Sequence, residues 1–139
     1  MSRVMGMVVV LAMTTFVVGG PVAAAQSPVV LAFEKQWVAP DHYVGTVGGG
    51  GTIEMRLFDK SIIGKTQHFG ATVRVVSPSR SFTAVVSGQI NFSTGRVVLN
   101  GSVTDGWWTG ARVQEESRLV DPDTGRFVGT VRILASSRT

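Results

Sequence analysis

The chain contains no cysteine, and that absence excludes several chemistries at once. It leaves no disulfide framework, no thiolate nucleophile, no cysteine-held metal and no cysteine for a lipid anchor. Histidine is almost as scarce. His42 and His68 are widely separated, with neither a His-x-His nor a His-Glu-x-x-His spacing for a metal. His68 falls on a polar strand face, where a solvated or hydrogen-bonded imidazole is the expectation. No serine occupies a Gly-x-Ser-x-Gly elbow. Basic residues are spread thinly, without the stripe and interleaved aromatics that nucleic acid requires. The formal charge of +4 therefore reads as solubility, and no nucleic-acid partner is expected.

Phosphate-binding loops are missing too. Gly48-Gly49-Gly50-Gly51 is not followed by Lys-Ser/Thr or by a helix N-terminus. Gly64-Lys65-Thr66 resembles the tail of such a loop, but Asp59 stands where its first glycine belongs. The glycine run is expected to form a mobile turn at the mouth of the domain.

Long apolar runs are absent except at the start. A basic Arg3, the apolar stretch Val4 to Val18, then Gly19-Gly20-Pro21 and Ala23-Ala24-Ala25 have the form of a secretory signal peptide cleaved after Ala25. The run is shorter than the roughly 20 residues of a spanning helix, and Gly-Gly-Pro interrupts it, which disfavours the alternative of a retained anchor. The expectation is a signal over 1–25 and one domain over 26–139. The product is secreted or periplasmic, with no stable membrane insertion after cleavage.

What remains is rich in Val, Thr, Phe and Gly, a strand-and-turn composition without sustained helical periodicity. Eight strands are predicted, at 29–37, 43–47, 52–59, 66–77, 81–93, 96–104, 111–121 and 126–136. Phe69, Ala71, Val73 and Val75 share one face; so do Phe82, Ala84, Val86, Gly88, Ile90 and Phe92. Period-two alternation of this kind marks strands half-buried against a core. Ser77-Pro78-Ser79-Arg80, Ser93-Thr94-Gly95 and Asp121-Pro122-Asp123-Thr124-Gly125 supply turns. Thr94-Gly95-Arg96 and Thr124-Gly125-Arg126 repeat one turn-to-strand entry. Short hairpins in succession predict an all-β meander closed into an eight-stranded antiparallel barrel, whose interior holds side chains or one small ligand. A two-sheet β-sandwich is the alternative. Closure suits an exported domain without disulfides, because it leaves no strand edge exposed.

Glu115-Glu116 carries the clearest chemical signal. Neighbours in a strand point to opposite faces, so the two cannot act as a pair. Glu115 has the parity of Val113 and Leu119 and is predicted to face inward. An acid inside an apolar lumen is a candidate catalytic group. The competing expectation is a structural ion pair or hydrogen bond, with an arginine as the partner. Trp107-Trp108, bracketed by Gly106 and Gly110, predicts an aromatic loop tip that either contacts a partner or plugs the domain's end. Phe69, Phe82, Phe92, Trp107, Trp108 and Phe127 are the ligand-binding candidates.

The runs Val98-Leu99-Asn100-Gly101-Ser102-Val103-Thr104-Asp105-Gly106, Gly110-Ala111-Arg112-Val113-Gln114-Glu115-Glu116 and Gly125-Arg126-Phe127-Val128-Gly129-Thr130-Val131-Arg132-Ile133 resemble the allene oxide cyclase/dirigent-like barrel family, in particular its secreted bacterial members. Tyr43-Val44-Gly45-Thr46-Val47 and the glycine-rich turn before Thr52 fit the same pattern. The resemblance spans about residues 30 to 136 and rests on strand and turn signatures. It implies a calycin-type barrel, often trimeric, with no metal or organic cofactor. Plant relatives cyclise a reactive fatty-acid epoxide or steer the coupling of phenoxy radicals. The expected function is binding of a small apolar or aromatic molecule in the lumen. The alternatives are a cofactor-free cyclase or isomerase using Glu115, and a surface interaction protein using Trp107 and Trp108. Fold alone does not choose among them.

Overall fold

A computed structural model describes residues 27–136. The expected signal peptide lies outside the described residues. Eight strands follow in chain order: β1 (Val29–Ala39), β2 (His42–Val47), β3 (Gly51–Ile63), β4 (Thr66–Val76), β5 (Phe82–Asn91), β6 (Arg96–Gly106), β7 (Arg112–Asp121) and β8 (Arg126–Leu134). Each pairs antiparallel with the next, and β8 returns to β1 through Val29↔Ile133 to Gln36↔Arg126. The sheet is a closed barrel, not a sandwich.

The eight strands are those predicted, with shifted ends. β3 runs on to Ile63 past a register break between Phe58 and Ser61, where Asp59 takes a φ of 51°. The polar Asp59-Lys60-Ser61 interrupts the alternation there, so the sequence pattern stops at 59 while the pairing resumes beyond it. β5 ends at Asn91, so Phe92 does not extend the inner face of that strand. It stands at the strand end and is exposed.

The alternation sorts side chains as the pleat requires. Ile53 and Met55 of β3, Phe69, Ala71, Val73 and Val75 of β4, Phe82, Ala84, Val86 and Ile90 of β5 and Val97, Leu99 and Val103 of β6 fill the interior. Phe33 of β1, Val47 of β2, Ala111 just before β7, Val113 of β7 and Phe127, Val131 and Ile133 of β8 complete it. Each fully buried Val, Leu, Ile or Phe contributes about 1.5–3 kcal/mol, which stands in for the missing disulfides.

Inward positions that lack a side chain allow the strands to coil tightly. A Cβ at Gly45 would lie 1.8 Å from the Glu34 carbonyl oxygen and 2.6 Å from Lys35 Cα. No side chain fits there, and the absence lets β2 press against β1 beside Lys35.

The ends of the barrel differ. At one end Phe82 lies beneath Trp107, ring centroids 6.0 Å apart, and Trp107 meets Trp108 edge-on at 5.4 Å. The Arg80 guanidinium sits 5.5 Å from the Trp107 ring centroid, and the Trp107 N–H donates to the Ser81 carbonyl at 2.9 Å. This is a plug, and both tryptophans are half-buried. The β2–β3 turn at Gly48–Gly50 lies at this closed end, with the Gly48 N–H donating to the Ala32 carbonyl at 2.7 Å. The glycine run is therefore not at the mouth. Parity explains the correction: in an eight-strand meander the β2–β3 turn shares its end with the β6–β7 loop, which carries the tryptophans.

The other end carries the two matched hairpins. Asn91 Oδ1 accepts from the Ser93 and Thr94 N–H groups at 2.8 and 3.3 Å, and Asp121 Oδ1 accepts from the Asp123 N–H at 3.0 Å. Gly95 and Gly125 then adopt φ of 73° and 65°. Each glycine carbonyl also accepts from a strand outside its own hairpin: Gly95 from Leu119 N–H at 2.9 Å, Gly125 from Trp37 N–H at 3.1 Å. One turn solution is used twice, as the repeated Thr-Gly-Arg suggested.

Candidate functional site

The open end leads into a cavity of about 330 Å³. Its inner lining is Lys35, Met55, Phe69, Ile90, Val97 and Phe127, all buried. Tyr43, Leu57 and Leu119 continue the wall, with the Tyr43 and Phe127 rings edge-to-face at 5.6 Å. The rim is formed by Trp37, Gln67, Phe92 and the β7–β8 turn Pro122–Gly125. Ile62 and Ile63, at the tip of the long β3–β4 hairpin, add exposed apolar surface at the same end. The volume falls within the roughly 300–1,000 Å³ of small-molecule sites, and the lining is apolar with few polar groups, as such sites are.

One charged pair lies inside this apolar shell. Lys35 Nζ donates to Glu115 Oε2 at 2.6 Å, with Lys35 4% and Glu115 1% exposed. Nζ also donates to Met55 Sδ at 3.3 Å and stands 4.8 Å from the Phe33 ring centroid. Ser117 Oγ approaches Glu115 Oε2 at 3.5 Å, a weak contact, and Glu115 Oε1 has no protein hydrogen-bond partner. Burial pushes the Lys35 ammonium below its usual range, while the charge of Glu115 and the hydrogen bond to it pull it back up. The Tyr43 phenol moves up, chiefly through burial and then through Asp41.

The pairs outside the barrel are of another kind. Arg126–Glu34 at 2.9 Å, Lys60–Asp41 at 2.6 Å and His42–Glu54 at 2.7 Å are all at least partly solvated. Such surface pairs contribute little. His42 is thus engaged by a carboxylate on the outer face.

Glu115 faces inward and Glu116 outward, as strand parity requires. The partner of Glu115 is a lysine, not the arginine expected. Lys35 carries its own signal: Leu31, Phe33, Lys35 and Trp37 share one parity on β1, so a lysine interrupts an apolar face. Which acid it meets depends on the barrel's closure, which places β1 and β7 on either side of β8.

Lys35 lines the cavity and Glu115 lies behind it. Of the two, only the amine side of the pair borders the cavity. Of the aromatic candidates, Phe69, Phe92 and Phe127 line the cavity. Phe82, Trp107 and Trp108 belong to the plug at the opposite end and do not line it. Phe82 shares a strand face with Ile90, but eight residues of strand place the two at opposite ends of the lumen. Compared with known proteins, the chain matches no family model and no curated protein.

Proposed function

We propose that this chain is an exported small-molecule-binding barrel that takes an apolar or aromatic molecule into its lumen, in the manner of the allene oxide cyclase/dirigent-like family it resembles. The observation that carries this reading is the cavity itself, open at one end, lined by buried apolar side chains and closed at the other end by Phe82 and Trp107. The exposed apolar residues Trp37, Ile62, Ile63 and Phe92 gather at the open end, which favours entry of an apolar molecule there.

The test is displacement of an environment-sensitive apolar fluorophore, with Leu119→Trp as the blocking variant. Saturable binding that Leu119→Trp abolishes supports the reading. Binding that is absent, or unchanged by the blocked lumen, overturns it.

A cofactor-free cyclase or isomerase is the second reading, favoured by the charged pair alone. Lys35 Nζ would stabilise negative charge developing on a ligand oxygen, with Glu115 as its positioning residue. Turnover of a bound apolar epoxide, lost in Lys35→Met while binding persists, is the result that would favour it. The surface-interaction reading has less support, because Trp107 packs on Phe82 and Arg80.

A further inference from the structure

We infer that the lumen selects neutral ligands carrying an oxygen acceptor at their leading end, and that Glu115 is the residue that excludes carboxylates. The inference rests on the lumen-binding reading above and specifies its ligand class.

Charge balance in the lumen sets this selectivity. Lys35 and Glu115 are both buried and 2.6 Å apart, so together they add no net charge to the interior. The other inward residues around them, Met55, Ser117, Phe33 and Phe127, are uncharged. A ligand carboxylate reaching Lys35 would place a second anion in the same apolar space, with no second buried cation among the described residues to meet it. Burial of an unpaired charge is strongly disfavoured. A bare hydrocarbon is also a poor match. The ammonium has three N–H donors, of which Glu115 Oε2 takes one and Met55 Sδ, a weak acceptor, another. A ketone, ester or ether oxygen supplies a better acceptor without adding charge. The direction of Lys35's shift fits this arrangement, since Glu115 is what sustains the ammonium against burial.

Glu115 consequently holds the place that a ligand carboxylate would otherwise take. Removing its charge should convert a site for neutral oxygen compounds into a site for anionic ones. That inversion is specific to charge balance; loss of packing alone would weaken every ligand together.

The experiment measures binding of n-decane, 2-decanone and decanoate to the exported chain by fluorophore displacement and calorimetry at neutral pH. In the wild type, 2-decanone is expected to bind about tenfold or more tightly than either of the others, the worth of a hydrogen bond to a charged group. Glu115→Gln is expected to invert the order in favour of decanoate by a similar factor. A double variant, Lys35→Met with Glu115→Met, keeps the lumen filled and is expected to bind decane and 2-decanone alike. It serves where Glu115→Gln fails to fold. Decanoate binding to the wild type as tightly as 2-decanone overturns the inference while leaving a lumenal site. Equal binding of decane and 2-decanone overturns it as well. If none of the three binds and the fluorophore itself is not taken up, the lumenal reading falls with it.

Discussion

Lys35 on β1 and Glu115 on β7 meet inside the barrel at 2.6 Å, joining two strands that are separated in the sheet by β8. The bond therefore crosses the interior instead of following the hydrogen-bonded ladder. It is a charged tie within a largely apolar packing, and its removal has different consequences depending on how it is removed.

Deleting one partner leaves the other charge buried and alone. Lys35→Met is expected to lower the unfolding free energy by about 3–5 kcal/mol, whereas Lys35→Met with Glu115→Leu should return most of it. Urea unfolding of the wild type, both single variants and the double variant measures this as a cycle. Additive losses in the double variant would show that the two side chains do not act as a pair.

The pH dependence of stability follows from the lowered Lys35 ammonium. Its folded value lies below the ordinary 10.5, so between the two the unfolded chain binds more protons and stability rises with pH. The contribution is fully present above 10.5 and lost as pH falls through the folded value. Glu115→Gln removes the charge that raises Lys35, so its rise toward alkaline pH should be steeper than that of the wild type. Tyr43, whose phenol is raised above 10.0, acts oppositely and loses its contribution as pH climbs through its folded value. Comparing Glu115→Gln with Lys35→Met/Glu115→Gln in urea between pH 7.5 and 10 cancels Tyr43. Parallel curves would contradict the assignment to Lys35.

Gly45→Ala is expected to be severely destabilising. Its Cβ would meet the Glu34 carbonyl and Lys35 Cα, so β1 and β2 must separate. The cost should be about 3 kcal/mol or more, at or beyond the upper end for overpacking, because backbone must move. Gly48→Ala is the control: its Cβ would meet only ordinary contacts at 3.6 Å, and a change within about 0.5 kcal/mol is expected. Thermal unfolding of both variants checks the contrast, and similar midpoints would contradict it.

Trp107→Ala should cost about 2–3 kcal/mol, less than truncation of a fully buried tryptophan. Fluorophore uptake from the open end should persist near the wild-type affinity once the variant is folded. Loss of uptake in a folded Trp107→Ala protein would place the ligand at the closed end instead.

The fold was legible in the sequence because one apolar face recurs with period two through nearly every strand. Thr94-Gly95 and Thr124-Gly125 marked turns whose Asx geometry the structure contains. Glu115's inward orientation followed from parity alone. Its partner did not, since Lys35 lies 80 residues away and meets it only through the register of the closed barrel. The division of the aromatics between plug and cavity was hidden for a similar reason. Phe82 and Ile90 share a face, but face says nothing about depth. Depth follows from strand direction and the end at which each loop lies, which also moved the glycine run away from the mouth.

A barrel plugged by Phe82, Trp107 and Arg80 at one end is a tube with a single entrance. Under the proposed lumenal role, a guest would leave tail first by the path it entered, with only its leading end against Lys35. Its trailing end would pass Phe92 and the Pro122–Gly125 turn and then the exposed apolar side chains of Trp37, Ile62 and Ile63 before reaching open water. Within a homologous series, affinity should climb with each added carbon until the cavity and this apolar rim are covered and stay level thereafter. Such a container would discriminate by the chemistry of the head and, beyond the rim, would be indifferent to the length of the tail.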